Sequence, residues 1–253
     1  GIRALADFLK KKHNVTIVAP DRGKSAIGHS LTLSSPVFVT EIEEDIFAVS
    51  GTPADCVVLG LFKYASDADI VISGINQGPN MGEDVFYSGT VAAAREAAMK
   101  GRRAFSVSLH DYSDLFNNKF HKTNIYEVYY RAAERVYPLI EKLSKIDKSE
   151  LKENRVFFNI NIPNSEEYKG YRMTRQGSRI YKNHIKELKD PFKRSYFWLT
   201  GSKPSWKPDP ESDCDRVSSD YISVTPVSLN YTDTETIDML NEKPGSELFG
   251  IEK

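Results

Sequence analysis

The sequence predicts an α/β fold with a mainly parallel sheet, and three observations carry that reading. Short runs rich in β-branched residues recur at Val15–Ala19, Ile46–Val49, Ile70–Ile72, Ala104–Leu109 and Val156–Ile162. Helical patterns with an apolar stripe stand between most of them, the alternation that builds parallel sheets. One strand then passes through a glycine-rich loop into an alanine-rich helix, DIVISGINQGPNMGEDVFYSGTVAAAREAAMKG from 69 to 101. Gly74, Gly78, Pro79 and Gly82 forbid regular structure there, and Asn76 and Asn80 lie among them. Such a junction offers free backbone N–H groups to an anion above the strand end. An ordinary βα connection has the same parts; two Asn and a Ser88-Gly89-Thr90 turn so close together favour a ligand site.

With 253 residues, 40% hydrophobic and 27% charged, the chain has the composition of a globular protein able to bury a large core. A net charge of −1 gives no electrostatic footprint for nucleic acid or anionic membrane. No apolar run approaches the roughly 20 residues of a membrane helix. Cys56 and Cys214 are too few and too far apart for a disulfide framework or a zinc site. A cytoplasmic location is expected.

In chain order, Ile2, Leu5, Ala6 and Leu9 mark one face of a first helix, with Lys10 to His13 expected in its last turn. The chain enters this helix at Gly1 with no strand before it. The alternation predicts a strand and turn ahead of it, so about a dozen residues are expected to be absent from this sequence. The strand at Val15 is followed by the loop 21–30. Its Gly23-Lys24-Ser25 is no P-loop, because position 18 is Val and the following segments, Leu31–Leu33 and Val37–Thr40, read as strand. The loop still lies at a strand end, where open α/β sheets bind ligands, so Ser25 is a candidate oxygen ligand as well as a plain turn serine. His29 reads as a loop or packing histidine, with no acidic or cysteine partner at ligand spacing. Thr52-Pro53-Ala54-Asp55 is a helix start with Thr52 as N-cap.

After the organising stretch, the spacing predicts a loop over Asp111–Lys122 and a long helix over Ile125–Leu143, kinked at Pro138. Tyr171–Tyr181 and Ser195–Thr200 read as strands of a hairpin-rich region. Lys203–Asp215, with three prolines and no periodicity, reads as a long loop. A strand at Tyr221–Val224 and a helix at Asp233–Leu240 close the chain, and the last dozen residues look frayed. The spacing of Gly74, Gly78 and Gly82 lacks the Gly-x-Gly-x-x-Gly of a dinucleotide-binding dehydrogenase.

The motifs VAPDRGKSAIGHSLTL (18–33), GTPADCV (51–57), the stretch 69–99, NINIP (159–163) and DYISVTPV (220–227), in this order, resemble the SurE family of metal-dependent nucleotidases over nearly the whole chain. The resemblance implies a Rossmann-like three-layer αβα core over residues 1–170, its first strand missing. A C-terminal β-hairpin and helix extension over 171–253 would be exchanged between subunits of a homodimer or tetramer, with strand 221–225 returning to the core. It implies one divalent cation, Mg or Mn, held by Ser25, Asn76 and a pair of Asp after the first strand. It also implies a phosphate site lined by Asn80, Ser88, Gly89 and Thr90, with Asn80, Ser88 and Thr90 in catalytic roles.

The expected activity is hydrolysis of nucleoside 5′-monophosphates, and of 3′-monophosphates as a second class. The Asp pair is not in this sequence, so the stretch given is expected to bind metal poorly and to be inactive by itself. The alternative is a nucleotide-binding regulatory module without turnover.

Overall fold

The computed structural model describes residues 1–110, 124–151, 155–165, 167–181, 183–201 and 204–241. The expected loop at 111–122 and the frayed last dozen residues lie outside the described residues.

The fold is α/β, with helices on both faces of a largely parallel sheet. The main sheet runs β4 (Ile70–Gln77), β5 (Arg103–His110), β6 (Val156–Pro163), β12 (Ile222–Ser228) and β7 (Tyr171–Met173). β4, β5 and β6 are parallel; β12 runs against β6 and alongside β7. A second sheet holds β1 (Ile17–Pro20), β3 (Ile46–Val49) and β2 (Val39–Glu43), with β1 parallel to β3. β1 and β4 each stand at the edge of their sheet.

Helices α1 (Ile2–Leu9) and α5 (Ile125–Ser144) cover one face of the main sheet, where Phe105, Val107, Phe158, Ile160 and Ile162 pack against Leu5, Val136 and Ile140. On the other face α2 (Pro53–Leu59) and α4 (Gly89–Met99) pack through Val57, Val91, Ala94 and Ala98 onto Ala104 and Phe157. The alanines of α4 let it lie close to the strands.

The inner strands depart from the apolar pattern of a doubly covered parallel sheet. Ser106, Ser108, Asn159, Asn161 and Ser223 are fully buried, at alternate positions facing away from α1 and α5. They form a polar stripe beyond Ala104 and Phe157, and buried polar groups of this kind require partners.

Several expectations are corrected. α1 ends at Leu9, so Lys10 to His13 lie beyond its last turn; Lys11 and Lys12 settle over the rings of Tyr130 and Tyr137 instead. β4 runs on from Ile72 to Gln77, with a register shift against β5 between Ser73 and Asn76. A glycine inside a strand marks such an irregularity. Gly74, at φ 131°, supplies a conformation that other residues rarely adopt.

Leu31–Leu33 is not a strand, because Thr32 gives its N–H and its hydroxyl to Asp55 rather than to a neighbouring strand. The segment 171–181 holds two short strands, β7 in the main sheet and β8 (Arg179–Ile180). Lys203–Asp215 is not one loop: β11 (Ser205–Trp206) pairs with β8, and α6 (Asp213–Ser218) starts on a Ser212 cap. β10 (Ser195–Gly201) stands where a strand is expected, but its hairpin partner is β9 (Asn183–Lys189), a segment the sequence did not mark as strand; α7 (Thr234–Asn241) closes the described chain. α5 is continuous through Pro138.

Candidate functional site at the strand ends

Three segments meet beyond the C-terminal ends of β1 and β4: the loop 21–30, the loop 78–88 that contains α3 (Asp84–Tyr87), and the first turn of α4. Each is held by interactions its sequence can explain.

The loop 21–30 folds against α4. Gly28 N–H donates to the Tyr87 carbonyl at 2.8 Å. A Cβ added to Gly89 would lie 2.9 Å from Pro53 Cγ, 3.3 Å from Ile27 Cγ2 and 3.5 Å from the Lys24 carbonyl, so only glycine lets the loop sit this close. Ser25, next to Lys24, is exposed. His29 Nε2 lies 2.9 Å from Glu96 Oε2 of α4, and Lys100 Nζ is 3.7 Å from the same carboxylate. His29 is thus a packing histidine, and its acidic partner is close in space though 67 residues away in the chain. The pair ties the loop to the helix.

Asn76, at the end of β4, donates its side-chain N–H groups to the Gln77 and Gly78 carbonyls at 3.0 and 2.8 Å. This turns Oδ1 outward, where the Thr90 hydroxyl donates to it at 3.4 Å. Ser88 is the N-cap of α4: its Oγ accepts from Val91 N–H at 3.2 Å. The N–H groups of Gly89 and Thr90 belong to the first turn, where no intrahelical acceptor exists.

Asn80 is buried in the polar stripe. Its backbone N–H donates to Asn161 Oδ1 at 2.8 Å and its Nδ2 to Ser108 Oγ at 2.7 Å. Its carbonyl accepts from Asn159 Nδ2 at 2.8 Å and Asn161 Nδ2 at 3.1 Å. Ser106 Oγ fixes Asn159 in turn at 2.8 Å. The sequence reading assigned no role to these four partners. Their signal was present: Ser-Val-Ser-Leu and Asn-Ile-Asn-Ile alternate polar and apolar residues in strands covered on both faces.

The structure therefore brings Asn76, Thr90, Ser88 and Gly89 together, seats the loop of Ser25 beside them, and anchors the glycine loop below through Asn80. Ser25 and Asn76 offer two neutral oxygens, a hydroxyl and an amide. Hard divalent cations favour such donors but need carboxylates beside them for affinity. Among the described residues no group of three or more His, Cys, Asp or Glu could hold a metal ion. The donor types of Ser25 and Asn76 suit part of a hard-cation shell.

Asp55 is half of the capping box of α2: Thr52 N–H donates to its Oδ2 at 2.8 Å. Burial alone would raise its pKa; the hydrogen bonds from Thr32 and Thr52 outweigh burial and hold the carboxyl below its usual range.

Together these features define a three-layer α/β protein with a polar candidate site at the carboxyl ends of its strands, where such sheets bind ligands. The family model described as "Survival protein SurE" matches residues 1–183. The chain is 39% identical over 250 residues to the 5′-nucleotidase SurE of Thermosipho melanesiensis, covering 96% of this chain and 92% of that one. It is 41% identical over 243 residues to the 5′-nucleotidase SurE of Geobacter sulfurreducens, covering 95% and 87%. The crystal structure of the SurE protein from Aquifex aeolicus superposes with a TM-score of 0.76 at 34% identity, covering 94% of this chain and 92% of that chain. The chain belongs to the SurE family.

Proposed function

We propose that this chain is a metal-dependent nucleotidase that hydrolyses nucleoside 5′-monophosphates to nucleoside and inorganic phosphate, with 3′-monophosphates as a second class. The names of its relatives support the activity. The observation that carries the site is the Thr90–Asn76 contact, which couples the end of β4 to the first turn of α4, with the Ser25 loop packed on Gly89.

In this reading the N–H groups of Gly89 and Thr90 hold the phosphate oxygens, aided by the positive end of α4. Ser88 fixes the helix start and Thr90 orients the phosphate against Asn76. Asn80 holds the glycine loop at a fixed height above the polar stripe. Ser25 Oγ and Asn76 Oδ1 would contact one Mg or Mn ion. When bound, such a cation polarises a phosphoryl oxygen and contributes several kcal/mol of charge stabilisation. Two neutral ligands leave its charge unbalanced. The resemblance implies that a pair of Asp carboxylates completes the shell.

The hairpin of β9 and β10 supports exchange of residues 171–253 between subunits of a homodimer or tetramer. Both of its faces expose apolar side chains, Ile185, Phe197 and Leu199 on one and Tyr196 and Trp198 on the other. No helix among the described residues is long and apolar enough to cross a membrane; a cytoplasmic location belongs to the same reading.

Phosphate release from AMP or GMP with Mn tests the proposal. Release that is abolished by EDTA is expected. Nucleotide binding with no release under any metal would overturn it in favour of a binding module.

A further inference from the structure

The loop that feeds the first turn of α4 is gripped from outside by residues far along the chain. Glu83 accepts from Ser178 Oγ at 2.9 Å and from the Arg179 N–H. Asp84, which opens α3, accepts from the Arg179 guanidinium and from the Tyr181 hydroxyl. The Arg179 side chain is 1% exposed, so this ion pair is shielded from water. Asp213, fully buried at the start of α6, accepts from three backbone N–H groups: Gly82 at 3.1 Å, Gly177 at 2.9 Å and Cys214 at 2.8 Å. Met81 packs on Cys214 and Val217.

The approach is as close as backbone allows. Gly82 has φ 52°, and a Cβ there would lie 3.0 Å from the Gly177 carbonyl and 3.2 Å from Arg179 N. The loop end just before Ser88 is therefore positioned by 177–181 and 213 as much as by the strand it leaves.

We infer that Asp213 and Arg179 are positioning residues for the nucleotidase site: they fix the loop 81–87 and thereby the Ser88–Thr90 turn, without touching substrate. The inference rests on the reading of that turn as the phosphate seat. The loop and its clamp share a two-part logic. Asp213 fixes the backbone at Gly82, and Arg179 fixes the helical turn of α3 through Asp84. A shielded, hydrogen-bonded pair holds one geometry, whereas either partner alone leaves a buried charge unpaired. A displacement of about 1 Å at a reacting centre can cost about a hundredfold in rate, so the clamp should act on turnover more than on encounter with substrate.

The test uses the full chain and compares Arg179→Met, Arg179→Lys and Tyr181→Phe. Two readouts are taken: kcat and KM for AMP with Mn, and amide hydrogen exchange across residues 82–91 without nucleotide. Arg179→Met is expected to lower kcat at least tenfold with KM changed less than threefold, and to speed exchange at 82–91. Arg179→Lys should restore part of the kcat. Should Arg179→Met fail to fold, Tyr181→Phe decides, with faster exchange at 84–91 and kcat lowered at least twofold expected. A folded variant with unchanged kcat and unchanged exchange overturns the inference. If the parent protein releases no phosphate, the nucleotidase reading fails, while the exchange readout still decides whether the clamp holds the turn.

Discussion

The Thr90 hydroxyl donates to Asn76 Oδ1 at 3.4 Å, joining the first turn of α4 to the end of β4. Two residues from separate elements are thereby set side by side at the mouth of the sheet. Removing the hydroxyl while keeping the shape, Thr90→Val, should raise KM for AMP about three- to tenfold, the worth of one hydrogen bond. Steady-state kinetics with Mn check this. The melting temperature should move little, because Thr90 is only half-buried.

Asn161 anchors the glycine loop from below, accepting from Asn80 N–H and donating to its carbonyl. Asn161→Ala leaves the buried Asn80 N–H without that acceptor. A loss of about 1–3 kcal/mol in urea unfolding is expected, the cost of an unpaired buried polar group.

The cap of α2 is a second structural anchor. Thr52 Oγ1 accepts from Asp55 N–H at 3.1 Å and donates to the Ser30 carbonyl at 2.7 Å, so it holds both the helix and the loop that follows Ser25. Thr52→Ala should cost about 1–2 kcal/mol in the same measurement.

Asp55 gives a pH signature. Its folded pKa lies below the unfolded value of about 3.9. Its contribution to stability is therefore present above that value and is lost as pH falls through the folded pKa. Asp55→Asn should be less stable than the parent at neutral pH. It should lose less stability than the parent on acidification below about pH 4, as followed by unfolding at a series of pH values.

Both cysteines should be silent in the folded protein. Burial, and then the nearby Asp55 charge, push the Cys56 thiol up to about 12. Burial and Asp213 raise Cys214 as well. Neither thiolate is populated near neutrality. A thiol reagent at pH 8 should label neither residue in the native state and both in urea.

The elements legible in the sequence were those fixed by local chemistry. Ile46–Val49 is bounded as expected, and Thr52, Pro53 and Asp55 occupy the cap, first position and first turn that their residue types favour. Glu96 and Lys100, four residues apart at the end of α4, lie 3.7 Å apart. What escaped depended on distant partners. Thr32 looks like a strand residue until Asp55 takes its hydrogen bonds. Ser205–Trp206 becomes a strand only because Arg179–Ile180 lies opposite.

The site divides along the same line. Asn76, Ser88 and Thr90 stood out because glycines and a helix start surround them. Asn159 and Asn161 alternate with apolar residues, a pattern that marks a polar face but not its use, and that use appears only when the loop of Asn80 lies on them. Asp213 and Arg179 gave no local signal at all, since their partners, Gly82 and Asp84, are more than 90 residues earlier in the chain.

The most direct measurement is the affinity for Mn, by calorimetric titration, of the full chain and of its Ser25→Ala and Asn76→Ala variants. If both side chains contact one cation, each substitution weakens binding at least tenfold while the fold and melting temperature hold. Unchanged Mn affinity in either folded variant would contradict the shared site.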